Sequence, residues 1–185
     1  MYQLGDYSLR PIKEEDLRMI LEWRNSERIH AVMLTNHKIT WDEHYAWFLR
    51  QKDNHIKRNL VFEYKGKPIG YVGYTEYDEE NATCSPGAYI GDENGAPAEA
   101  GFLLFYMAMD YAFFKLEMKV LKTDILADNK KAMRLDKFLG YEINKTESYF
   151  MQKNEQNIKV EKAYLTLESW IEKKEDLKDF VRAQL

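Results

Sequence analysis

The sequence predicts a mixed α/β domain with a central sheet flanked by helices, and three observations carry that prediction. Helical and alternating apolar periods take turns along the chain, two hairpin signals fall close together in its middle, and a long apolar helix follows them into an isolated apolar strand. No internal repeat and no Pro/Gly/Ser-rich linker divides the 185 residues, a length that fits a single domain with a sizeable core.

The elements follow in order. Tyr7–Pro11 reads as a first strand, and residues 14–23 carry Leu17, Ile20 and Leu21 on one helical face. Thr40 followed three residues later by Glu43 is a capping box that opens a second helix, with Trp41, Tyr45, Trp47 and Phe48 in or just after it. Strand-like runs at 60–64, 68–77 and 83–90 are joined by Lys65-Gly66-Lys67 and by a turn at 78–81, both suited to antiparallel hairpins. A loop over 91–96 leads to Pro97, placed as proline favours the first turn of a helix, and the helix is expected over 98–115. Residues 120–126 read as a buried strand, 129–139 as a helix closed by Gly140, 141–148 and 159–167 as strands, and 168–183 as an amphipathic helix.

Hydrophobic residues at 45% and charged residues at 31% belong to a globular chain, not a disordered one. Lys and Arg number 27 against 31 Asp and Glu, a formal net charge of −4, which argues against a general nucleic-acid binder because such a protein needs a basic face to displace counterions. The lone Cys84 excludes an internal disulfide and a multi-cysteine zinc site, and it reads as a buried strand residue. The apolar block that begins at Gly101 is broken by Asp110 and Lys115, too early for a membrane span. The opening residues carry no signal-peptide pattern, so a cytoplasmic location without membrane or nucleic-acid partners is expected. His30 and His37 have no third residue to complete a metal site, and none is expected.

Two segments have the composition of a site. The first runs from Tyr89 and Ile90 through Gly91, Asp92, Glu93, Asn94, Gly95, Ala96 and Pro97 to Ala98. Free N–H groups and the dipole at a helix start favour phosphate oxygens, and small residues let them approach the backbone. An ordinary strand-to-helix turn also accounts for the segment, and Asp92 and Glu93 oppose an anion unless they point away. In the second, Asn129 follows a strand and opens a helix that ends at Gly140-Tyr141, so its amide fits either a helix cap or a ligand contact.

Together the two segments resemble the cofactor half of the GNAT superfamily of acetyl-CoA-dependent N-acetyltransferases. The family's tail pattern, Asn-x-x-Ala-x-x-Leu-Tyr-x-x-x-Gly-Phe, is matched by Asn129, Ala132, Leu135, Gly140 and, as an aromatic, Tyr141. Its pyrophosphate motif, Gln/Arg-x-x-Gly-x-Gly/Ala, is matched at Gly95 alone, with Asp92 and Pro97 at its ends. The resemblance covers roughly residues 7–167 and implies the GNAT fold, with a C-terminal helix over 168–185. It further implies acetyl-CoA as cosubstrate, the pyrophosphate against Gly91, Asn94, Gly95, Ala96 and Ala98, and a pantetheine contact from Asn129. The acyl carbonyl of the family lies at the strand end, where a backbone N–H at Tyr89 or Ile90 would stabilise the oxyanion.

Trp23-Arg24-Asn25, Met33 and the run from Thr40 to Phe48 resemble the nucleotide-sugar N-acetyltransferases, most of all those of the pseudaminic acid pathway, which acetylate the 4-amino group of a UDP-linked amino sugar. This implies that Arg24, Asn25, Met33 and Trp47 bind the acceptor, that Asp124 sits on the strand beside it, and that His44 faces it as a base. Without the resemblance, Met33 and Trp47 read as core side chains, His44 as a surface or satisfied histidine, and Arg24 as one half of a surface ion pair.

The expected function is therefore acetyl transfer from acetyl-CoA to the amine of a nucleotide-linked amino sugar, by direct attack. Two alternatives stand beside it. Leu9-Arg10-Pro11 and the tail pattern are shared with acetyltransferases that modify the N-termini of ribosomal proteins, and the degenerate pyrophosphate loop suits a silent acetyl-CoA-binding module. The apolar side of the C-terminal helix packs either on its own domain or on a second copy in a homodimer. Asp136 stands where the tail pattern has the tyrosine regarded as acid for the leaving thiolate. A buried protonated Asp136, another donor such as a nearby tyrosine, and solvent or the substrate amine are the three routes open. The latter two are expected, because a free Asp carboxyl, with a pKa of about 3.9, is ionised at neutral pH and a thiol of pKa about 8.5 leaves readily as thiolate.

Overall fold

The structure is a computed structural model that describes residues 1–35, 37–51, 58–153 and 155–185. The chain folds as two compact units, Met1–Tyr74 with Gly87–Ala108 and Thr75–Pro86 with Met109–Leu185.

In the first unit, β1 (Tyr2–Leu4) turns back on β2 (Tyr7–Pro11) through Gly5, whose φ of 57° suits a residue without Cβ. β2 pairs antiparallel with β3 (Asn59–Tyr64), Leu9 opposite Phe62, and β3 pairs antiparallel with β4 (Lys67–Asp78). β4 neighbours β5 (Thr83–Ile90), giving the order β1-β2-β3-β4-β5. At Gly70 a Cβ would stand 2.7 Å from the Tyr89 carbonyl oxygen, so β4 and β5 meet this closely only because no side chain intervenes.

The helices of this unit are α1 (Leu17–Asn25), entered through a 3₁₀ turn at Glu14–Asp16, the short α2 (Glu27–Val32), and α3 (Trp41–Arg50). Ile12, Leu17, Ile20 and Val61 form a buried cluster against which Trp23, Trp41, Trp47, Phe48 and Tyr71 pack. Arg10 holds the entry to α1 on the sheet, donating to both Asp16 oxygens at 2.7 and 2.8 Å and to Glu63 at 2.7 Å. The capping box forms as expected: Thr40 accepts from the Glu43 amide, and Glu43 accepts from the Thr40 amide at 2.7 Å.

In the second unit the ends of β4 and β5 continue the sheet through β6 (Val120–Leu126), β8 (Gln156–Thr166) and β7 (Glu142–Lys153), in that spatial order. The β5–β6 ladder is parallel and consists of Thr83 opposite Val120 and Cys84 opposite Leu121. Such a ladder requires a crossover, supplied by α4 (Ala100–Phe114). Pro86, which has no N–H to give a ladder, follows closely. β6 pairs antiparallel with β8, and β8 with β7, where a register shift lies between Asn144 and Tyr149.

The helices here are α5 (Lys130–Phe138), α6 (Leu167–Asp176) and α7 (Lys178–Gln184). Gly140, at φ 99°, closes α5, and the Tyr141 amide donates back to the Asp136 carbonyl. Trp170 is fully buried, its indole N–H donating to Asp110 at 3.2 Å, and Lys174 meets the same carboxylate at 2.6 Å. Of the apolar residues in the C-terminal segment, Trp170, Leu177 and Val181 are buried against their own chain, while Ile171 and Phe180 are exposed.

The fold is the α/β architecture with a mixed sheet that the sequence predicts, with five differences. β1 and α2 are additional, α4 starts at Ala100 and not at residue 98, and the C-terminal helix is divided at Leu177. The β7–β8 hairpin also reaches further than the expected strands, because most of β7 and the first two residues of β8 are solvent-exposed and carry no apolar alternation. Among the described residues no helix is long and apolar enough to cross a membrane, and no three His, Cys, Asp or Glu side chains gather as a metal set.

Candidate functional site

The carboxyl-terminal end of β5 is held from several sides within the first unit. The Gly91 and Asp92 amides both donate to the Ile69 carbonyl of β4, at 2.8 and 3.2 Å. From α2, Arg28 donates through Nη2 to the Ile90 carbonyl at 2.7 Å and lies 3.4 Å from that of Gly91, while its Nε pairs with Glu93 at 3.1 Å. Trp23, at the end of α1, lies against Gly91 so closely that a Cβ there would be 2.0 Å from the indole Cδ2. A cavity of about 530 Å³ opens here, with Met19, Trp23 and Pro68 as apolar walls and Ser26, Arg28 and residues 91–94 as polar ones. That volume lies within the usual range of small-molecule pockets, about 300–1,000 Å³.

Tyr89 packs on Tyr71 with ring centroids 5.5 Å apart, and Tyr71 donates to Asn59 at 2.6 Å. Burial raises the Tyr89 phenol above its ordinary pKa, with Arg24 acting in the opposite direction. The Arg24 guanidinium has its pKa lowered by burial, and Nη1 is buried without a hydrogen-bond partner among the described residues. It is therefore not the surface ion-pair residue that the isolated sequence suggests. Arginine remains charged in proteins, so holding this half-buried guanidinium with a buried, unpartnered Nη1 is unfavourable until an anion meets it.

The other acceptor-side nominees are spread around this unit. Asn25 clamps the approach to α3, accepting from the Ile39 amide at 2.9 Å and donating to its carbonyl at 2.7 Å. Met33 caps α2 and is half-buried, and Trp47 packs against the Leu17–Ile20 cluster and stacks with His44 at 5.2 Å. None of Arg24, Asn25, Met33 and Trp47 lines the cavity. His44 is only 6% exposed; burial lowers its pKa, a hydrogen bond to the Leu17 backbone opposes that, and Nε2 has no partner among the described residues.

On the loop before α4, Asp92 Oδ1 accepts from the amides of Asn94 and Gly95, each at 3.1 Å. Gly95 and Ala98 are exposed and Ala96 is half-buried. A diphosphate at this turn would take those two amides over from the Asp92 carboxylate.

In the second unit Asn129 caps α5, its Oδ1 accepting from the Ala132 amide at 3.2 Å. Asp124 on β6 accepts from the Tyr149 hydroxyl at 2.8 Å and pairs with Lys162 at 3.7 Å. Asp136 is 6% exposed, and burial pushes its carboxyl up to about 7. A nearby tyrosine, solvent or the substrate amine was the expected proton source for the thiolate; the burial that raises this carboxyl leaves part of it protonated at neutral pH, so the route through Asp136 is open as well. Its burial has a signal in the sequence, because it shares a helical face with Ala132 and Leu139. Trp23 and Arg28 had no such signal: their contacts are with backbone more than sixty residues away.

Comparison with known proteins agrees with this fold. Residues 7–142 match the family model described as acetyltransferase (GNAT) domain. The chain is 31% identical over 127 residues to the acetyltransferase PseH of Campylobacter jejuni, covering 67% of this chain and 75% of that protein. The spermidine N-acetyltransferase of Vibrio cholerae, solved with CoA and spermine, superposes with a TM-score of 0.81 at 21% identity, over 91% of this chain and 99% of the other. The protein yncA of Salmonella typhimurium, solved with acetyl-CoA, gives a TM-score of 0.70 at 20% identity, over 88% of this chain and 94% of the other.

Proposed function

On the premise that this chain belongs to the GNAT acetyltransferase family and is an acetyl-CoA-dependent N-acetyltransferase, we propose that its acceptor is an anionic one, the amine of a nucleotide-linked amino sugar. The observation that carries this reading is Arg24, a half-buried guanidinium whose Nη1 is buried and has no hydrogen-bond partner among the described residues. A polyamine would add positive charge to it, whereas a nucleotide diphosphate would neutralise it and take its free N–H groups. The match to PseH supports the same class of acceptor. A cytoplasmic location, where acetyl-CoA is available, belongs to the same proposal.

The chemistry follows from named groups. The acceptor ammonium first loses a proton, for which the carboxylate of Asp124 and the neutral imidazole of His44 are the bases available. The amine nitrogen attacks the thioester carbonyl, and the Ile90 N–H at the end of β5 stabilises the oxyanion. The C–S bond then breaks, the nitrogen gives up its second proton to solvent as the amide forms, and the CoA sulfur takes the proton held by Asp136. Solvent restores that proton before the next turnover.

Calorimetric titration with UDP and, separately, with spermidine tests the acceptor class. UDP should bind at micromolar concentrations and spermidine should not; spermidine binding without UDP binding would overturn the proposal.

A further inference from the structure

We infer that Arg28 is a positioning residue that fixes the direction of the Ile90 N–H, by locking the two peptide planes that follow it. This rests on the reading that Ile90 N–H meets the acyl oxygen.

The peptide bonds here are trans and planar, so the carbonyl and the N–H of one peptide unit point in opposite directions. In the Ile90–Gly91 unit the carbonyl accepts from Arg28 at 2.7 Å while the N–H donates to Ile69 at 2.8 Å. In the Gly91–Asp92 unit the carbonyl lies 3.4 Å from the same Arg28 nitrogen, and the N–H donates to Ile69 at 3.2 Å. Both planes are therefore held at both ends, by β4 on one edge and by one guanidinium on the other. The preceding unit is set as well. The Tyr89 carbonyl lies against Gly70 of β4, so the Ile90 N–H at its opposite end points away from β4.

Arg28 also satisfies a need of the strand end itself. The Ile90 carbonyl points away from β4, and a strand carbonyl without a partner has to be met by a side chain or water. Arginine suits the task because its fork spans two successive carbonyls, and Glu93 holds the guanidinium from the far side at 3.1 Å. The side chain is 43% exposed, so its removal opens little of the core. Its loss should therefore show in the placement of the strand end and not in the stability of the fold.

The experiment compares wild type with Arg28→Ala and Arg28→Lys by hydrogen exchange, acetyl-CoA binding and steady-state kinetics with a UDP-linked amino sugar. In Arg28→Ala the Gly91 and Asp92 amides should exchange about tenfold faster, with the melting temperature close to wild type. kcat should fall about tenfold or more while acetyl-CoA affinity changes about twofold at most, because misplacement by a fraction of an ångström lowers the rate and not the binding. Arg28→Lys, which can reach one carbonyl but not span two, should recover part of kcat. Unchanged exchange in Arg28→Ala would overturn the lock. Faster exchange with unchanged kcat, or a kcat loss matched by an equal loss of acetyl-CoA affinity, would overturn the positioning role. If wild type releases no CoA with the amino sugar, the acceptor reading fails instead, and the exchange rates alone decide whether Arg28 locks the strand.

Discussion

The indole of Trp23 and the backbone of Gly91 are in direct contact, leaving no room for even a methyl group: a Cβ on Gly91 would lie 2.0 to 2.5 Å from three ring atoms. Gly91→Ala must therefore displace Trp23, which also forms one wall of the cavity. The substitution should lower stability by about 1–3 kcal/mol, the usual penalty of overpacking. In a Trp23→Ala background the same change should have less than half that effect, because the clash is gone. Thermal melts of the four proteins check this, and additive effects would show that the contact is not what restricts residue 91.

Asp136 gives a pH signature. Its carboxyl is raised from 3.8 to about 7 by burial, so the folded protein holds this proton more tightly than the unfolded chain does. The stability from that proton is present in full below about pH 4 and is lost as pH rises through about 7, amounting to about 4 kcal/mol at most. Asp136→Asn has no such titration, so it should melt above wild type at pH 8 and gain nothing at pH 5. As the proton source for CoA, Asp136 should also make wild-type kcat fall above pH 7, and the Asn variant should be slower by about a hundredfold and insensitive to pH in that range. Parallel melting profiles and near-normal turnover in Asp136→Asn would assign the proton to solvent.

The carboxylate of Asp92 occupies the amides of Asn94 and Gly95 that a diphosphate would need. Asp92→Ala frees both and removes a negative charge, so acetyl-CoA should bind about threefold to tenfold more tightly. Weaker binding, measured by titration calorimetry, would mean that Asp92 shapes the loop and does not compete with the ligand.

Arg24→Met separates binding from folding. Replacing a half-buried cation that holds a buried nitrogen without a partner among the described residues by an apolar side chain of similar length should raise the melting temperature. The same change should raise the KM of an anionic acceptor about tenfold or more, with little effect on acetyl-CoA. Loss of stability in Arg24→Met would show that the guanidinium is compensated within the fold.

Much of the fold was legible because its signals are local. The Thr40–Glu43 box marked the start of α3, Gly140 the end of α5, and the apolar run of α4 the crossover between β5 and β6. β1 has three residues and α2 six, too few for either period to show, and the exposed tip of the β7–β8 hairpin, beyond the strands read at 141–148 and 159–167, lacks an apolar alternation. The site was less legible for a physical reason. Arg28 acts through a hydrogen bond to the backbone of Ile90, which any residue type would supply, and the fit of Trp23 on Gly91 depends on tertiary approach. Asn129 could be read as a helix cap from its place alone, and its amide does cap α5.

The most direct measurement is CoA release by the purified wild-type enzyme with acetyl-CoA and three kinds of acceptor: UDP-, dTDP- and GDP-linked amino sugars, spermidine, and N-terminal peptides. An anionic acceptor that meets Arg24 predicts that one of the nucleotide-linked sugars gives a kcat/KM at least about a hundredfold above spermidine and every peptide, a margin that a partly desolvated charge interaction can supply. Efficient transfer to spermidine or to a peptide, with none to the nucleotide sugars, would contradict it.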